Sequence, residues 1–253
     1  MPPSAAVAAA ATGEPDLAQR GLWVVKLGGS LSQSRYLNRW LSILAAAGGA
    51  VAIVPGGGPF ADQVRTLQKR RRFDDATAHH MALLAMEQYG RMLAGLSPGL
   101  RPAASRAEIA RARRGGLTAV WMPTRMVLAD PQIAASWDIT SDSLAAWLAG
   151  KLKADRLVLV KSVALAGGNV PAAALAGRGI VDPAFPGYFA RSGAEGWCID
   201  DARHAAMAAA LRSGRGPGTQ VVAAPTPAAR PRRLPVAAGV LTSESDRHRT
   251  RRQ

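Results

Sequence analysis

Lys26 stands at the end of a short apolar run, Leu22–Leu27, directly before Gly28, Gly29 and Ser30. A second apolar run, Val51–Val54, leads through Pro55 into Gly56-Gly57-Gly58. Each run has the composition of a buried strand, and each glycine turn is followed by helical periodicity. Glycines let backbone N–H groups approach a ligand closely, and the helix start beyond them favours anions. A lysine in a buried strand is costly without an anionic partner, unless it snorkels to solvent. Placed beside Gly-Gly-Ser, Lys26 suits charge neutralisation on a phosphoryl group. Ser30 either caps the following helix or donates to a phosphate oxygen. Two such turns in one sheet can hold the two ends of a phosphate transfer.

Three further residues belong to this chemistry. Thr140-Ser141-Asp142 opens a helix, where Ser141 or Asp142 serves as a plain cap or Asp142 faces a ligand. Lys161 ends an apolar strand, the place where ligands bind in open α/β sheets, although a solvated lysine is the simpler reading. Arg65 lies one or two turns beyond the second glycine run, as a phosphate clamp or a surface arginine. Gly56 to Ala61 also fits the pattern G-x-G-x-x-A, so a dinucleotide-binding oxidoreductase is an alternative resting on that match alone. The P-loop pattern G-x-x-x-x-G-K-[ST] is absent from the sequence.

The elements that must position these residues alternate. Strand 22–27 precedes a helix over 34–47, and strand 50–54 precedes a helix from Pro59 to about Arg72. Asp74-Asp75 opens a long helix to about Leu96. On it Met81, Leu84, Ala85, Gln88 and Met92 recur at helical spacing, as core packing or as a seam with a second copy. A helix over 106–113, a strand over 119–122, a helix over 143–153 and a strand over 156–160 follow. A helix over 200–211 and a strand over 219–223 close the pattern. The expectation is an α/β fold, with a mostly parallel open sheet covered on both faces. Residues 1–20 read as a disordered leader, 21–223 as the folded domain and 224–253 as a Pro/Arg-rich tail.

Composition limits the function classes. The 253-residue chain is 48% apolar, enough for a large core. Its net charge of +15 comes with no zinc spacing or aromatic-rich RNA signature, so anionic small molecules are the expected partners rather than nucleic acid. No membrane span is expected. The single cysteine, Cys198, precludes an internal disulfide and fits a reducing cytoplasm. Its type suits a buried apolar position.

Val24-Val-Lys-Leu-Gly-Gly-Ser30, Val54-Pro-Gly-Gly-Gly-Pro59, Thr140-Ser-Asp142 and Leu157-Val-Leu-Val-Lys161, in this order, resemble the amino acid kinase superfamily. Within it, Gly56–Arg65, His80–Gly90 and Trp137–Ser143 are similar to the archaeal-type kinases of (5-(aminomethyl)furan-3-yl)methyl phosphate, which serve methanofuran biosynthesis. The resemblance implies a three-layer α/β/α fold and transfer from Mg-ATP to a phosphate monoester, giving a diphosphate. It implies Lys26 and Asp142 as catalytic, with Asp142 orienting the lysine or the acceptor's amine. Gly28, Gly29, Ser30 and Lys161 would bind ATP, and Gly56, Gly57, Gly58 and Arg65 the acceptor. No protein metal ligands are implied, and a homo-oligomer is. Lys161–Gly168 departs from the family, since many relatives carry an acidic Asp-Val-Asp-Gly type of stretch there. A non-catalytic nucleotide-binding member, or a kinase of another phosphate or carboxylate, is therefore the alternative.

Overall fold

The computed structural model describes residues 21–165 and 167–223. The expected leader and tail lie outside the described residues. The first half builds β1 (Trp23–Leu27), α1 (Leu37–Ala46), β2 (Val51–Pro55), α2 (Gly58–Arg71), α3 (Asp75–Gly95), β3 (Leu100–Ala103), α4 (Arg106–Arg114), β4 (Thr118–Trp121) and α5 (Thr124–Leu128). The second builds α6 (Ser141–Leu152), β5 (Arg156–Lys161), β6 (Asn169–Pro171), α7 (Ala172–Gly177), α8 (Phe185–Ser192), β7 (Glu195–Asp200), α9 (His204–Ser213) and β8 (Thr219–Val222).

The strands form one sheet in the order β3-β4-β2-β1-β5-β7-β8-β6. Pairing is parallel except between β7 and β8. Side chains alternate across a strand, and this alternation builds two cores. Trp23, Val25 and Leu27 of β1 pack with Val158 and Val160 of β5, beside Trp40 and Leu44 of α1 and Met207 of α9. Val24 packs with Leu157 and Leu159 on the opposite face, beside Leu144 and Leu148 of α6 and Phe185 of α8. Helices thus cover both faces of the sheet, giving three layers.

Strand parity also decides where the lysines go. Lys26 shares the phase of Val24, and Lys161 shares that of Leu157 and Leu159, so both project toward α6. The chain runs outward from β1 to β2 on one side and returns to β5 on the other. The C-terminal ends of β1 and β5 therefore flank a topological switch point.

Several elements depart from the sequence pattern. Asp200 does not start a helix: it ends β7 in register with Lys161, and its carboxylate accepts the Ala202 N–H (2.7 Å) to form the turn before α9. Residues 29–33 form a short 3-10 turn, and α1 begins only at Leu37. Helix α6 starts at Ser141, earlier than expected. The expected stripe of α3 is core packing only in part: Ala85 is buried, whereas Leu84 and Met92 are exposed, and the inward face is built by Ala78, Leu83, Met86, Tyr89 and Leu93.

The two glycine turns are locked backbone to backbone. Gly56 N–H donates to the Leu27 carbonyl (2.8 Å), and a Cβ on Gly56 would lie 2.5 Å from the Gly29 nitrogen. A Cβ on Gly29 would strike the Gly58 nitrogen in turn. Gly56→Ala should therefore cost about 1–3 kcal/mol through overpacking, read as a lower urea midpoint. An unchanged midpoint would show that the two turns separate freely.

Candidate active site

The local reason for the site lies in how α6 begins. Its first residues have free N–H groups, yet the Thr140 side chain supplies no cap. The buried Asp182, distant in sequence, does so instead. Its Oδ2 accepts from Thr140 N–H (2.9 Å), the Thr140 hydroxyl (2.8 Å) and Ser143 N–H (3.0 Å). Its Oδ1 accepts from the Ser143 hydroxyl. With the helix end satisfied from outside, the Asp142 carboxylate is released from capping.

Asp142 instead spans the two strands. Its Oδ1 lies 2.9 Å from Lys26 Nζ, and its Oδ2 accepts from Lys161 Nζ at 2.7 Å. Lys26 is 5% exposed and Asp142 4%. Burial by itself would raise the Asp142 carboxyl, but the two ammonium groups outweigh it and hold the carboxyl below the usual range. Burial, then the charge of Lys26, pushes Lys161 below an ordinary lysine, with Asp142 opposing. The triad carries two cations and one anion, and the surplus positive charge faces open space on two sides.

One side is a cavity of about 450 Å³ lined by Lys26, Gly57, Gly58 and Arg65, with Leu83 and Met86 among its apolar walls. Helix α2 points its start into it, with no side-chain cap on Gly57. Gly58 holds φ at +56°, a conformation favouring glycine. The other side is a cavity of about 400 Å³ lined by Gly28, Lys161, Ser162 and Arg178. Lys26, Gly29 and Ser30 line both.

These positions sort the expected site residues. Lys26, Asp142 and Lys161 come together in one ion cluster. Gly28, Gly29 and Ser30 face the second cavity, and Gly57 and Gly58 the first. Gly56 lines neither: its N–H is taken by Leu27, so it packs rather than holds a ligand. Arg65 lines the first cavity, but its guanidinium lies over the Trp137 ring (4.4 Å to the centroid) and 3.2 Å from Asp62. Asp142 has each oxygen paired with a lysine, an arrangement that orients Lys26. Cys198 is buried, and burial pushes its thiol up to about 11.

Sequence reasoning assigns no site role to Arg178, to the Trp137 ring or to Asp182 as a cap. Arg178 follows α7, an element with no clear sequence pattern. Asp182 precedes a proline, the one local mark that it ends a segment.

Residues 21–165 match the amino acid kinase family, and the chain belongs to it. Over 139 residues it is 30% identical to the (5-(aminomethyl)furan-3-yl)methyl phosphate kinase of Methanocaldococcus jannaschii. That stretch is 54% of this chain and 63% of the relative, so the chain spans under two thirds of that protein's length. The fold is that of uridylate kinase from Archaeoglobus fulgidus, with a TM-score of 0.62 at 18% identity over 79% of this chain and all of the other. It is shared with UMP kinase from Bacillus anthracis, with a TM-score of 0.59 at 14% identity over 79% of this chain and 95% of the other.

Asp142→Asn leaves two ammonium groups facing each other in a buried site. It should cost about 3–5 kcal/mol, measured by urea unfolding at neutral pH. The sign with pH follows from the lowered carboxyl. Its contribution is present above the unfolded value of 3.8 and fades as pH falls through the lower folded value. The gap between wild type and variant should therefore narrow on acidification; a gap constant with pH would refute the coupling.

Proposed function

We propose that the chain is an ATP-dependent kinase that phosphorylates a phosphate monoester to a diphosphate. The acceptor we assign is (5-(aminomethyl)furan-3-yl)methyl phosphate or a close analogue, by analogy with the M. jannaschii relative. The observation that carries the reading is that two cavities meet at one buried lysine, Lys26. The glycine N–H groups at the start of α2 receive the acceptor phosphate, and Gly28, Gly29, Ser30 and Lys161 receive the ATP phosphates.

In the reaction, an acceptor phosphate oxygen attacks the γ-phosphorus, and the bond from that phosphorus to the β,γ-bridging oxygen breaks. ADP leaves with the bridging electron pair, and a new phosphoanhydride forms on the acceptor. Lys26 stabilises the charge on the transferred group, while Asp142 holds Lys26 and Lys161 in place. Positioning and charge supply most of such catalysis. Among the described residues no group of three or more His, Cys, Asp or Glu side chains could cage a metal. Mg²⁺ fits here as an ion carried on the nucleotide phosphates, where it neutralises charge.

A second reading, a nucleotide-binding member without turnover, draws on Lys161–Leu165, which offers the nucleotide no carboxylate. We further propose a cytoplasmic place in methanofuran-type one-carbon cofactor synthesis, and a homo-oligomer that covers Phe60, Leu67, Leu84 and Met92 on α2 and α3. No described helix is long and apolar enough to cross a membrane.

Mg-ATP with the furan phosphate should give acceptor-dependent ADP. ADP with a different acceptor would move the substrate, and ATP binding without ADP across a panel of phosphates and carboxylates would favour the second reading. Lys26→Ala should lower kcat by about a hundred- to a thousandfold while the chain stays folded, because Lys161 still pairs Asp142. Unchanged turnover would sink the role of Lys26.

A further inference from the structure

The first cavity carries charge of both signs. Its inner end holds the buried Lys26 and the uncapped start of α2. Its rim holds two exposed carboxylates, Asp62 and Asp75, with the Arg65 guanidinium beside Asp62. Asp62 is already compensated by Arg65 (3.2 Å). Asp75 has no cationic partner among the described residues, and its Oδ1 accepts only from the neutral Gln68 amide (2.8 Å). Nor is Asp75 needed as a cap for α3, because Asp74 accepts the Thr77 N–H (2.7 Å).

Asp75 is also held in place. Trp137 donates its indole N–H to Gln68 Oε1 (2.6 Å), and Gln68 donates from Nε2 to Asp75. This chain ties the α2–α3 junction to the loop before α6 along the cavity wall. Arg65 lies over the Trp137 ring, fixing that ring further. The remaining ionisable group on the cavity is His79. Burial, then the charge of His80, holds it below an ordinary histidine, so it adds no cation at neutral pH.

We propose that Asp75 forms an ammonium subsite at the rim of the acceptor cavity, with Asp62 as a secondary contact. The acceptor is then a phosphate monoester with a cationic amine on the far side of a flat apolar body. The phosphate lies toward Lys26 and the apolar body against Leu83, Met86 and Leu144. This assignment rests on the acceptor reading given above and names the residue that sets its specificity.

The test is calorimetric binding to the full chain, without nucleotide, of meta-(aminomethyl)benzyl phosphate and its neutral counterpart meta-ethylbenzyl phosphate. Wild type should bind the amine about tenfold or more tightly over the ethyl compound. Asp75→Asn keeps an acceptor for Gln68 and should erase that preference, leaving the ethyl compound within about twofold of wild type. Asp62→Asn should lose only part of the preference. Equal binding of both compounds by wild type, no binding of the amine, or equal weakening of both by Asp75→Asn would overturn the subsite. ADP release measured in parallel separates this from the kinase reading. A preference abolished by Asp75→Asn, with no ADP formed, keeps the subsite and removes the kinase. ADP formed without any preference does the reverse.

Discussion

A buried and a largely buried ammonium group, those of Lys26 and Lys161, share one carboxylate at the centre of this molecule, and most of the local architecture follows from making that tolerable. A buried charge is expensive unless it is paired and hydrogen-bonded. Asp142 can pair both lysines only if it has no other duty, and a carboxylate at a helix start normally has one. Asp182 removes the conflict by satisfying Thr140 and Ser143 from another part of the chain. The segment between α7 and α8 thus serves the site twice, through Asp182 at the start of α6 and through Arg178 on the second cavity. The pairing remains incomplete in charge, two against one, and an incoming phosphoryl group is the natural complement.

The sheet makes the triad possible through parity and register. Lys26 pairs with Leu159 across β1 and β5, so Lys161 lies two residues further along on the same face. A shift of one residue in either strand would turn its lysine into the opposite core. The glycine turns then divide the space above the strand ends. Because Gly29 and Gly56 touch through bare backbone, the two cavities come together at Lys26 instead of being walled apart.

Much of this was legible in the sequence, and what was not had a common cause. The apolar runs of β1, β2 and β5, the glycines after the first two and the lysines at the ends of β1 and β5 all carry local signals. So does the helix opening at Thr140, whose capping motif was visible while the residue that caps it was not. Asp182 acts across 42 positions, and no local pattern encodes that distance. Gly56 looked like its neighbours, and only the pairing of its N–H with Leu27 sets it apart. Arg65 had the right type and place for a clamp, but an aromatic face at Trp137 competes for its guanidinium. Strand β7 was missed because Glu195–Asp200 mixes glycine, tryptophan and charge, and a strand held between two neighbours needs little intrinsic propensity.

The two cavities differ in how they can discriminate. The second is lined by Lys26, Lys161 and Arg178 and carries no carboxylate, so it attracts charge without sorting what bears it. The first sets two cations, Lys26 and Arg65, and two carboxylates, Asp62 and Asp75, around one space, and mixed charge of this kind can discriminate by repulsion as well as by attraction. The difference between the two cavities lies on the side where a carboxylate, a glutamine and a tryptophan are hydrogen-bonded in series. Under the proposed reaction, the lysine that lines both cavities bears on rate rather than on the choice between acceptors.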